Sequence, residues 1–442
     1  MQNNYIIELL NLQDENITIE SMKLINDTCY IHLFFNSKPT CCKHCGSTSI
    51  IKHDSYTRTI RYQNILNYKC ILKYYQKRFY CKDCKRTFNQ ETSFVSKHST
   101  IANNLKINML LETKKKKSFK DISIESNVSD ATVHNEFKKS LFDYRGKLTR
   151  IICVDEFRVS TIAGEYAFVI GDPISGKIID ILPSRKQDYI YYYFQSIPDE
   201  ERFKVEYFVS DLFESYKSIA ENLFWKSIHI ADRFHWIRLA TEAFNKTRIR
   251  LMHGWEKLGQ DQFKGKFNKY TTYANVLKKY HKFFLINPYS REQWFFSQTI
   301  NVSYLNETKT IDELIEWCLN MDSDLYEAFY YLRDLYKIAK FSNFDNAKKD
   351  LLEWCNKIEN TKTKIPEFKK VALTYKHWII PIVNSFIIDI ETKTKLTNGF
   401  IEGKNNMIKT IKRIGFGYKD FDVFRAKILH VDDEEKPFKT NN

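Results

Sequence analysis

Two Cys-x-x-Cys pairs constrain the fold of this 442-residue chain more than any other feature of its sequence. Cys42 and Cys45 have the same spacing as Cys81 and Cys84, and 35 residues separate the two pairs. Each such turn directs two thiolates to one point, and two turns complete a tetrahedral zinc shell. We therefore predict that Cys42, Cys45, Cys81 and Cys84 bind a structural Zn²⁺. Disulfides and independently packed thiols are the alternatives, and disulfides are rare in cytosolic proteins.

The segment between the two cysteine pairs has the composition of β-strands. Residues 51–62 (IKHDSYTRTIRY) and 68–80 (YKCILKYYQKRFY) are rich in β-branched and aromatic side chains. Gly46 follows the first pair directly and suits the tight turn of a zinc knuckle. These features predict a small zinc ribbon at residues 37–98, preceded by an N-terminal segment at residues 1–36.

Positive charge is concentrated in one part of the chain. The formal net charge is +15, and residues 41–120 contain 18 basic but only 4 acidic side chains. Aromatic residues interleave with this charge, which favours nucleic acid as the partner. The alternatives are an ordinary solvated surface and, as a weaker rival, an acidic membrane surface, which the lack of an amphipathic helix pattern in this region disfavours. No stretch approaches the roughly 20 apolar residues of a membrane helix, so we expect no membrane partner.

Residues 118–140 have the pattern of two short helices around a turn. Asn127 tolerates the left-handed backbone conformation that often ends a helix, and Ser129 is a good N-cap for the second helix. This pattern predicts a helix-turn-helix domain at residues 99–146, and an ordinary helical hairpin is the alternative. The predicted DNA-contacting residues are Lys114, Lys115, Lys116, Lys117, Ser129, Thr132, His134, Asn135 and Lys138.

The pattern of apolar residues changes after residue 150, where predicted apolar strands are followed by strands that alternate with helices. Three of the predicted strands lead into an aspartate, namely Asp155, Asp211 and Asp232. Active sites of open α/β sheets lie at the carboxyl ends of their strands. We therefore predict the first part of a catalytic domain at residues 147–253, with a mixed sheet. The alternative is that each aspartate caps the helix that follows it.

Carboxylates from neighbouring strands repel one another unless a cation lies between them. Hard oxygen ligands suit Mg²⁺ or Mn²⁺, and a pair of such ions supports phosphoryl displacement. The acidic strand ends, the zinc ribbon and the basic region together predict an enzyme that acts on nucleic-acid phosphodiesters.

The order of motifs resembles the bacterial insertion-sequence transposases of the DDE type, and in particular their ISL3 group. The resemblance spans roughly residues 40–425 and includes the cysteine pairs, the helix-turn-helix, VDEF, VSD, ADRFH and the late segment TNGFIEGKNNMIKTIKRIGFGY. It implies an α/β RNase H-like fold and an Asp-Asp-Glu triad with two Mg²⁺ ions. Carried onto this chain, the triad is Asp155, Asp211 and Glu402. Asp232 matches a further family motif, and we assign it an auxiliary or structural role.

The resemblance also implies an insertion between the second and third acids, which are 191 residues apart. Residues 254–395 show helical periodicity and no clear alternating strands, so we predict an all-helical insertion. The last part of the catalytic domain then occupies residues 396–430, and a tail occupies residues 431–442. Asn398 shares the helix face of Glu402 and is a predicted auxiliary residue. The predicted phosphate contacts beyond it are Lys409, Lys412 and Arg413.

We predict from these features a transposase that cleaves DNA at the ends of an insertion sequence and transfers the strand to target DNA. The expected partners are double-stranded DNA and a second copy of the chain, because two ends are cut. Since residues 1–20 lack the basic start of a secretory signal, we expect a cytoplasmic, nucleoid-associated protein. A structure-selective nuclease of the same fold and a non-catalytic DNA-binding regulator remain the alternatives.

Overall fold

The computed structural model describes residues 7, 10, 12, 16–141, 145–263, 268–290, 292–361 and 365–438. The chain divides into two compact units. The first contains residues up to Tyr144, Ser160–Ala163 and the residues from Asn406 on. The second contains Arg145–Val159 and Gly164–Asn405.

A five-stranded sheet is the centre of the first unit. Its strand order is β1-β2-β4-β3, with β5 paired to β4. The strands are β1 (Ile17–Ile25), β2 (Thr28–Phe35), β3 (Ile50–Ile65), β4 (Tyr68–Cys81) and β5 (Thr87–Asn89). β3 and β4 coincide with the two strands predicted between the cysteine pairs, which confirms that part of the sequence analysis.

The predicted boundary at residue 36 falls inside this sheet and needs correction. β2 pairs in parallel with β4, from Thr28 opposite Lys69 to Phe34 opposite Tyr75. The segment set apart as residues 1–36 therefore supplies two strands to the ribbon's sheet. Parallel partners need a long connection, so no short turn motif marks their pairing in the sequence.

Three helices follow the sheet and form the predicted helix-turn-helix region. They are α1 (Asn103–Thr113), α2 (Phe119–Glu125) and α3 (Asp130–Lys139). Asn127, in the turn between α2 and α3, has a φ of 51°, and the Ser129 side chain caps α3 by accepting from the Thr132 N–H. Both local predictions for this turn are confirmed. Ile122, Val133 and Phe137 are buried, which fixes how the two helices pack.

The second unit contains a five-stranded mixed sheet of order β10-β9-β6-β7-β8. β9 pairs in parallel with β6 and with β10, whereas β7 and β8 are antiparallel. Its elements are β6 (Ile151–Thr161), β7 (Gly164–Asp172), β8 (Lys177–Leu182), α4 (Gln187–Gln195), α5 (Asp199–Arg202), β9 (Tyr207–Ser210), α6 (Glu214–Leu223), β10 (Ile228–Ala231) and α7 (Arg233–Phe263). This arrangement confirms the predicted mixed α/β fold.

The region between α7 and residue 395 is mainly helical, whereas the prediction for residues 254–395 was all-helical. It shares with α7 a hydrophobic core around Trp236, Phe244, Leu332 and Tyr375. Its helices are α8 (Lys269–Tyr280), α9 (Ile311–Leu319), α10 (Ser323–Phe341), α11 (Phe344–Asn360), α12 (Pro366–His377) and α13 (Ile379–Asn384). The region also contains one short antiparallel pair, β11 (Thr299–Val302) and β12 (Glu307–Thr310). Strands of four residues are too short to show a clear period of two among helical neighbours.

The last two helices are α14 (Gly399–Ile414) and α15 (Phe421–Asp432). α14 begins against the mixed sheet, where a Cβ atom on Gly171 would lie 2.6 Å from the Phe400 ring and 2.7 Å from Ile401. The missing side chain at Gly171 therefore lets the start of α14 approach β7 closely. No helix in the described residues is long and apolar enough to cross a membrane.

Candidate active site and zinc centre

The four predicted zinc ligands converge at one end of the ribbon. The Sγ atoms of Cys42 and Cys84 are 3.6 Å apart, and so are those of Cys45 and Cys81. All four sulfurs lie within 4.8 Å of one another. Four sulfurs bound to one zinc at about 2.3 Å would be about 3.8 Å apart, so the spacing fits a tetrahedral site. The donor set and its geometry therefore match a structural Zn²⁺.

The two cysteine turns have the same backbone pattern. Gly46 N–H donates to the Cys42 carbonyl at 2.8 Å, and Lys85 N–H donates to the Cys81 carbonyl at 3.0 Å. Gly46 has a φ of 73° and Lys85 a φ of 59°, so both occupy the left-handed region. The role predicted for Gly46 is confirmed, and Lys85 takes the equivalent position despite its Cβ atom. Cys41 is exposed and does not belong to the cluster.

The register of the mixed sheet aligns the three predicted acids. Cys153 on β6 is paired with Val209 on β9, so Asp155 and Asp211 each lie two residues beyond this pair. Ser210 is paired with Ala231 on β10, so Asp211 and Asp232 each lie one residue beyond that pair. All three acids thus lie at the same level of neighbouring strands. Asp155 itself is not the end of its strand, because β6 continues to Thr161 beyond the part paired with β9.

Asp155 is mostly enclosed and is held by two hydrogen bonds. Its Oδ1 accepts from the Glu156 N–H at 2.7 Å, and its Oδ2 accepts from Asn405 Nδ2 at 2.7 Å. Burial and the nearby charge of Asp211 raise the pKa of Asp155 to about 7. Two carboxyl groups with this mutual repulsion form a site that a cation would stabilise.

Asp211 and Asp232 are bridged by a histidine that the sequence analysis did not assign. His235 Nδ1 lies 2.9 Å from Asp211 Oδ1 and 2.8 Å from Asp232 Oδ2. Burial would lower the pKa of His235, but hydrogen bonds to the two carboxylates raise it to about 10. The ADRFH motif contains this histidine three residues after Asp232, one turn into α7, so its i, i+3 spacing was the available signal.

Asp232 is buried, and other residues occupy both of its oxygens. In addition to His235, the backbone N–H of Asn398 donates to Asp232 Oδ1 at 2.8 Å. Asn398 Nδ2 also donates to the Val154 carbonyl at 3.0 Å. Asp232 and Asn398 therefore connect the chain just before α14 to β6 and to the start of α7.

Glu402 lies on α14 between two asparagines that contact the site, Asn398 and Asn405. The Glu402 carboxylate itself is exposed and makes no hydrogen bond or ion pair with a described residue. Within the described ranges, the close groups of possible metal ligands are the four cysteines and the set Asp211, Asp232 and His235. The structure thus places Asp155 and Asp211 side by side on neighbouring strands. The backbone of Glu402 lies near them on α14, but its side chain is exposed to solvent and makes no hydrogen bond with either aspartate.

The residues predicted to contact DNA have different environments. Ser129 and Thr132 bond to each other at the start of α3, the His134 ring meets Phe119 edge-on, and Asn135 is exposed. Lys138 pairs with Asp420 at 2.7 Å.

The lysine run before α2 is mostly engaged within the first unit. Lys114 donates to the Lys436 carbonyl at 2.7 Å, and Lys115 and Lys117 pair with Glu112. Lys116 is exposed and has no partner among the residues the structure describes. On α14, Lys409 and Arg413 are exposed and Lys412 is partly buried.

A tetracysteine ribbon, two short helices around a turn and an RNase H-like sheet that presents carboxylates from neighbouring strands are together consistent with a transposase. Residues 152–428 match the family model of ISL3 transposases, and residues 38–84 match the zinc-finger of transposase IS204/IS1001/IS1096/IS1165. The chain belongs to the ISL3 family of transposases. It is 19% identical to the transposase for insertion sequence element IS1001 of Bordetella parapertussis over 406 residues, which cover 91% of each chain.

Proposed function

We propose that this transposase cleaves DNA at the ends of an insertion sequence and joins the released strand to target DNA, with Mg²⁺ or Mn²⁺ as cofactor. Asp155, Asp211 and Glu402 would hold two metal ions. The observation that carries this proposal is the shared level of Asp155 and Asp211 on parallel neighbouring strands. The hydrogen bond from Asn405 to Asp155 supports the inclusion of Glu402, which lies one helical turn before Asn405.

The donor set fits a hard divalent cation. Asp155 and Asp211 offer carboxylate oxygens, which Mg²⁺ and Mn²⁺ prefer to nitrogen or sulfur. Asn405 Oδ1 is a buried acceptor that lacks a hydrogen bond within the described part of the chain. When bound, such ions stabilise the charge of the attacking and leaving oxygens in phosphodiester displacement.

The surrounding residues hold the proposed ligands in place. Asn405 orients the Asp155 carboxylate, while His235 restrains Asp211 against Asp232. Asp232 also accepts from the Asn398 backbone, which fixes the approach to α14. Such supporting hydrogen bonds limit the movement of ligands and thereby favour one productive geometry.

The reaction proposed here consists of two displacements at phosphorus. Water first attacks a phosphodiester at the element's end, the P–O3′ bond breaks, and a 3′-hydroxyl is released. That hydroxyl then attacks a target phosphodiester, forms a new P–O bond, and displaces the target's own 3′-oxygen. Because two ends must be processed, at least two copies of the chain are expected to act together on double-stranded DNA.

DNA contact in this proposal involves α3 and the exposed basic side chains near it. Asn135 is exposed on α3, and Lys116 is exposed before α2. Lys138 is in an exposed ion pair with Asp420, and exposed pairs of this kind contribute little, so a phosphate can replace the carboxylate. Lys409 and Arg413 add exposed charge on α14.

The proposed triad is tested by cleavage of a donor DNA that carries both ends of the element. Asp155→Asn, Asp211→Asn and Glu402→Gln should each abolish Mg²⁺-dependent cleavage and strand transfer, while binding to the same DNA without added magnesium persists. Glu221→Gln is the matched control, since Glu221 is an exposed acid on α6. Retained cleavage in all three variants would refute the assignment. Cleavage without strand-transfer products in the unmodified protein would instead favour a nuclease.

A further inference from the structure

A polar groove in the first unit lies apart from the helix-turn-helix residues described above. It has a volume of about 790 Å³ and is formed by β3, β4, β5, the first cysteine turn and residues 90–100. This volume is within the roughly 300–1,000 Å³ range of sites that enclose a small molecule or part of a polymer.

The groove carries an excess of positive charge. Its walls contain four basic side chains, Lys43, Arg58, Arg78 and Lys97, but a single acidic one, Glu91. An anionic ligand therefore fits it better than a neutral or cationic one.

Three of the four basic groups are available to a ligand. Lys43 and Glu91 are 3.5 Å apart, Arg78 and Asp54 are 3.6 Å apart, and both pairs are exposed or partly exposed. Lys97 is exposed and has no partner in the part of the chain described. Long ion pairs at a surface contribute little stability, so phosphate groups can displace them.

The fourth basic group, Arg58, has a structural role. Its guanidinium donates to Gln76 Oε1 at 3.1 Å and to the Ser99 carbonyl at 2.5 Å. These bonds tie the 96–99 turn to the sheet. The groove is consequently shaped in advance by hydrogen bonds across its floor.

An aromatic ring is fixed at the groove and remains exposed. Tyr56 is 43% exposed, and its hydroxyl donates to Gln76 Oε1 and accepts from Asn89 Nδ2, both at 3.2 Å. These two bonds hold the phenol end of the side chain while the ring stays accessible. An aromatic face of this kind can stack on a nucleotide base of any type.

A basic rim with an exposed aromatic ring is the combination that binds unpaired nucleotides. Duplex DNA, by contrast, is read by helices or ribbons that project into a groove about 12 Å wide. A concave pocket admits bases only after they leave the stack.

We propose that this groove binds one or two unpaired nucleotides of a DNA strand, with a base on Tyr56 and phosphates at Lys43, Arg78 and Lys97. The choice of DNA rests on the proposed function, since cleavage and joining at an element's end expose unpaired nucleotides. The site supplies a contact for the strand in addition to the double-stranded DNA expected at α3.

The test measures binding to labelled oligonucleotides by the full-length protein. The probes are a 12-nucleotide thymidine strand, its RNA counterpart, a blunt duplex, and the same duplex with a short single-stranded flap. Magnesium is left out so that no cleavage occurs, and no chelator is added so that zinc is retained. Binding then reports on the groove whether or not Asp155, Asp211 and Glu402 are catalytic.

Tyr56→Leu should weaken binding of the thymidine strand and the flap by about 5-fold to 100-fold, the range expected from the loss of one stacked base. Tyr56→Phe is the matched comparison and should lose less binding than Tyr56→Leu, because it keeps the ring and removes only the two hydrogen bonds of the hydroxyl. The blunt duplex should bind equally to the unmodified protein, Tyr56→Leu and Tyr56→Phe. Unchanged thermal unfolding and zinc content show that each variant is folded.

The charge is tested with Arg78→Gln/Lys97→Gln. A plot of log affinity against log salt concentration has a negative slope. For the thymidine strand, this variant should make that slope shallower by about 0.7 per lost phosphate contact. Lys23→Gln/Lys348→Gln, which removes two exposed lysines elsewhere, should leave the slope unchanged.

Three results would overturn the proposal. In the first, Tyr56→Leu and the groove charge variant bind all probes as their controls do. In the second, they weaken flap and blunt duplex equally, which would make the groove a duplex surface. In the third, the RNA strand binds more tightly than the DNA strand, which would assign the groove to RNA.

Discussion

Among the side chains of the candidate active site, sequence patterns identified the aspartates but not the residues that hold them. Asp155 and Asp211 each follow a run of apolar residues, so local patterning was enough to select them. His235 lies three residues after Asp232, and this spacing was an available signal, whereas Asn405 acts through a contact with a residue distant in the chain. Asn405 is 250 residues from Asp155, and no local pattern predicts that hydrogen bond. The role of Asn405 depends on the packing of α14 against the sheet.

Asn405 provides a direct test of such support. Asn405→Leu should lower metal affinity or Mg²⁺-dependent cleavage by about 10-fold to 100-fold, because the Asp155 carboxylate loses its orienting donor. Mn²⁺ titration and single-turnover cleavage measure the two quantities. The neighbouring Asn406 is exposed, so Asn406→Leu is the control and should change neither. Equal effects at the two positions would show that Asn405 has no specific role.

Arg150 and Asp389 form a second long-range contact that sequence patterns did not reveal. Arg150 precedes β6, and its guanidinium donates to both carboxylate oxygens of Asp389 at 2.8 and 3.0 Å. The Asp389 side chain is 1% exposed. Hydrogen bonding to Arg150 holds the pKa of Asp389 well below its usual range. This pair fixes the segment that leads toward α14.

Arg150→Met should lower the free energy of unfolding by on the order of 3 kcal/mol at neutral pH, because it leaves a buried carboxylate unpaired. Since the folded-state pKa of Asp389 is depressed, its contribution is present above about pH 4 and is lost as the pH falls further. The difference in free energy of unfolding between the unmodified protein and Arg150→Met, measured by urea unfolding, should therefore become smaller below about pH 4.

Arg238→Met is the control for this measurement. Arg238 forms an exposed i, i+4 pair with Glu242, and such pairs contribute only about 0.3–0.5 kcal/mol. A loss for Arg150→Met no larger than that for Arg238→Met would contradict the account of the buried pair.

Secondary-structure elements were predicted best where a short motif defines them. The knuckle at Gly46, the helix cap at Ser129 and the turn at Asn127 depend on a few adjacent residues, and the structure confirms each of them. The pairing of β2 with β4 and the hairpin β11-β12 were missed. Strand pairing depends on which surfaces meet in the folded chain, and that information is absent from a local window.

The zinc knuckles should stabilise the end of the ribbon, where Cys42, Cys81, Phe79 and Phe88 form a core too small to be stable alone. Cys81→Ser should therefore lose bound zinc and lower the thermal unfolding temperature of the ribbon. Cys41→Ser should retain zinc, because Cys41 is an exposed neighbour outside the cluster. Zinc content by atomic emission and thermal unfolding by circular dichroism test both variants. Normal zinc content in Cys81→Ser would show that the four sulfurs are not the ligands.

The whole chain places its proposed triad on segments that are far apart in sequence. Asp155 and Asp211 lie on adjacent strands, whereas Glu402 follows a long, mainly helical region that shares a hydrophobic core with α7. Helical periodicity predicted the character of this region. The position of Glu402 came from a family resemblance and not from periodicity, because a helix that packs against a distant sheet carries no marker of its partner. The exposed Glu402 carboxylate must turn toward Asp155 and Asp211 for the triad to act.

Anomalous diffraction from crystals of the full-length protein soaked with Mn²⁺ would locate the metal itself. The account predicts two manganese ions between Asp155 on β6 and the end of β9, bound by carboxylate oxygens of Asp155, Asp211 and Glu402 at roughly 2.1 Å, close to the distances typical of Mg²⁺. Manganese bound by Asp211, Asp232 and His235, with Glu402 and Asp155 uninvolved, would contradict it.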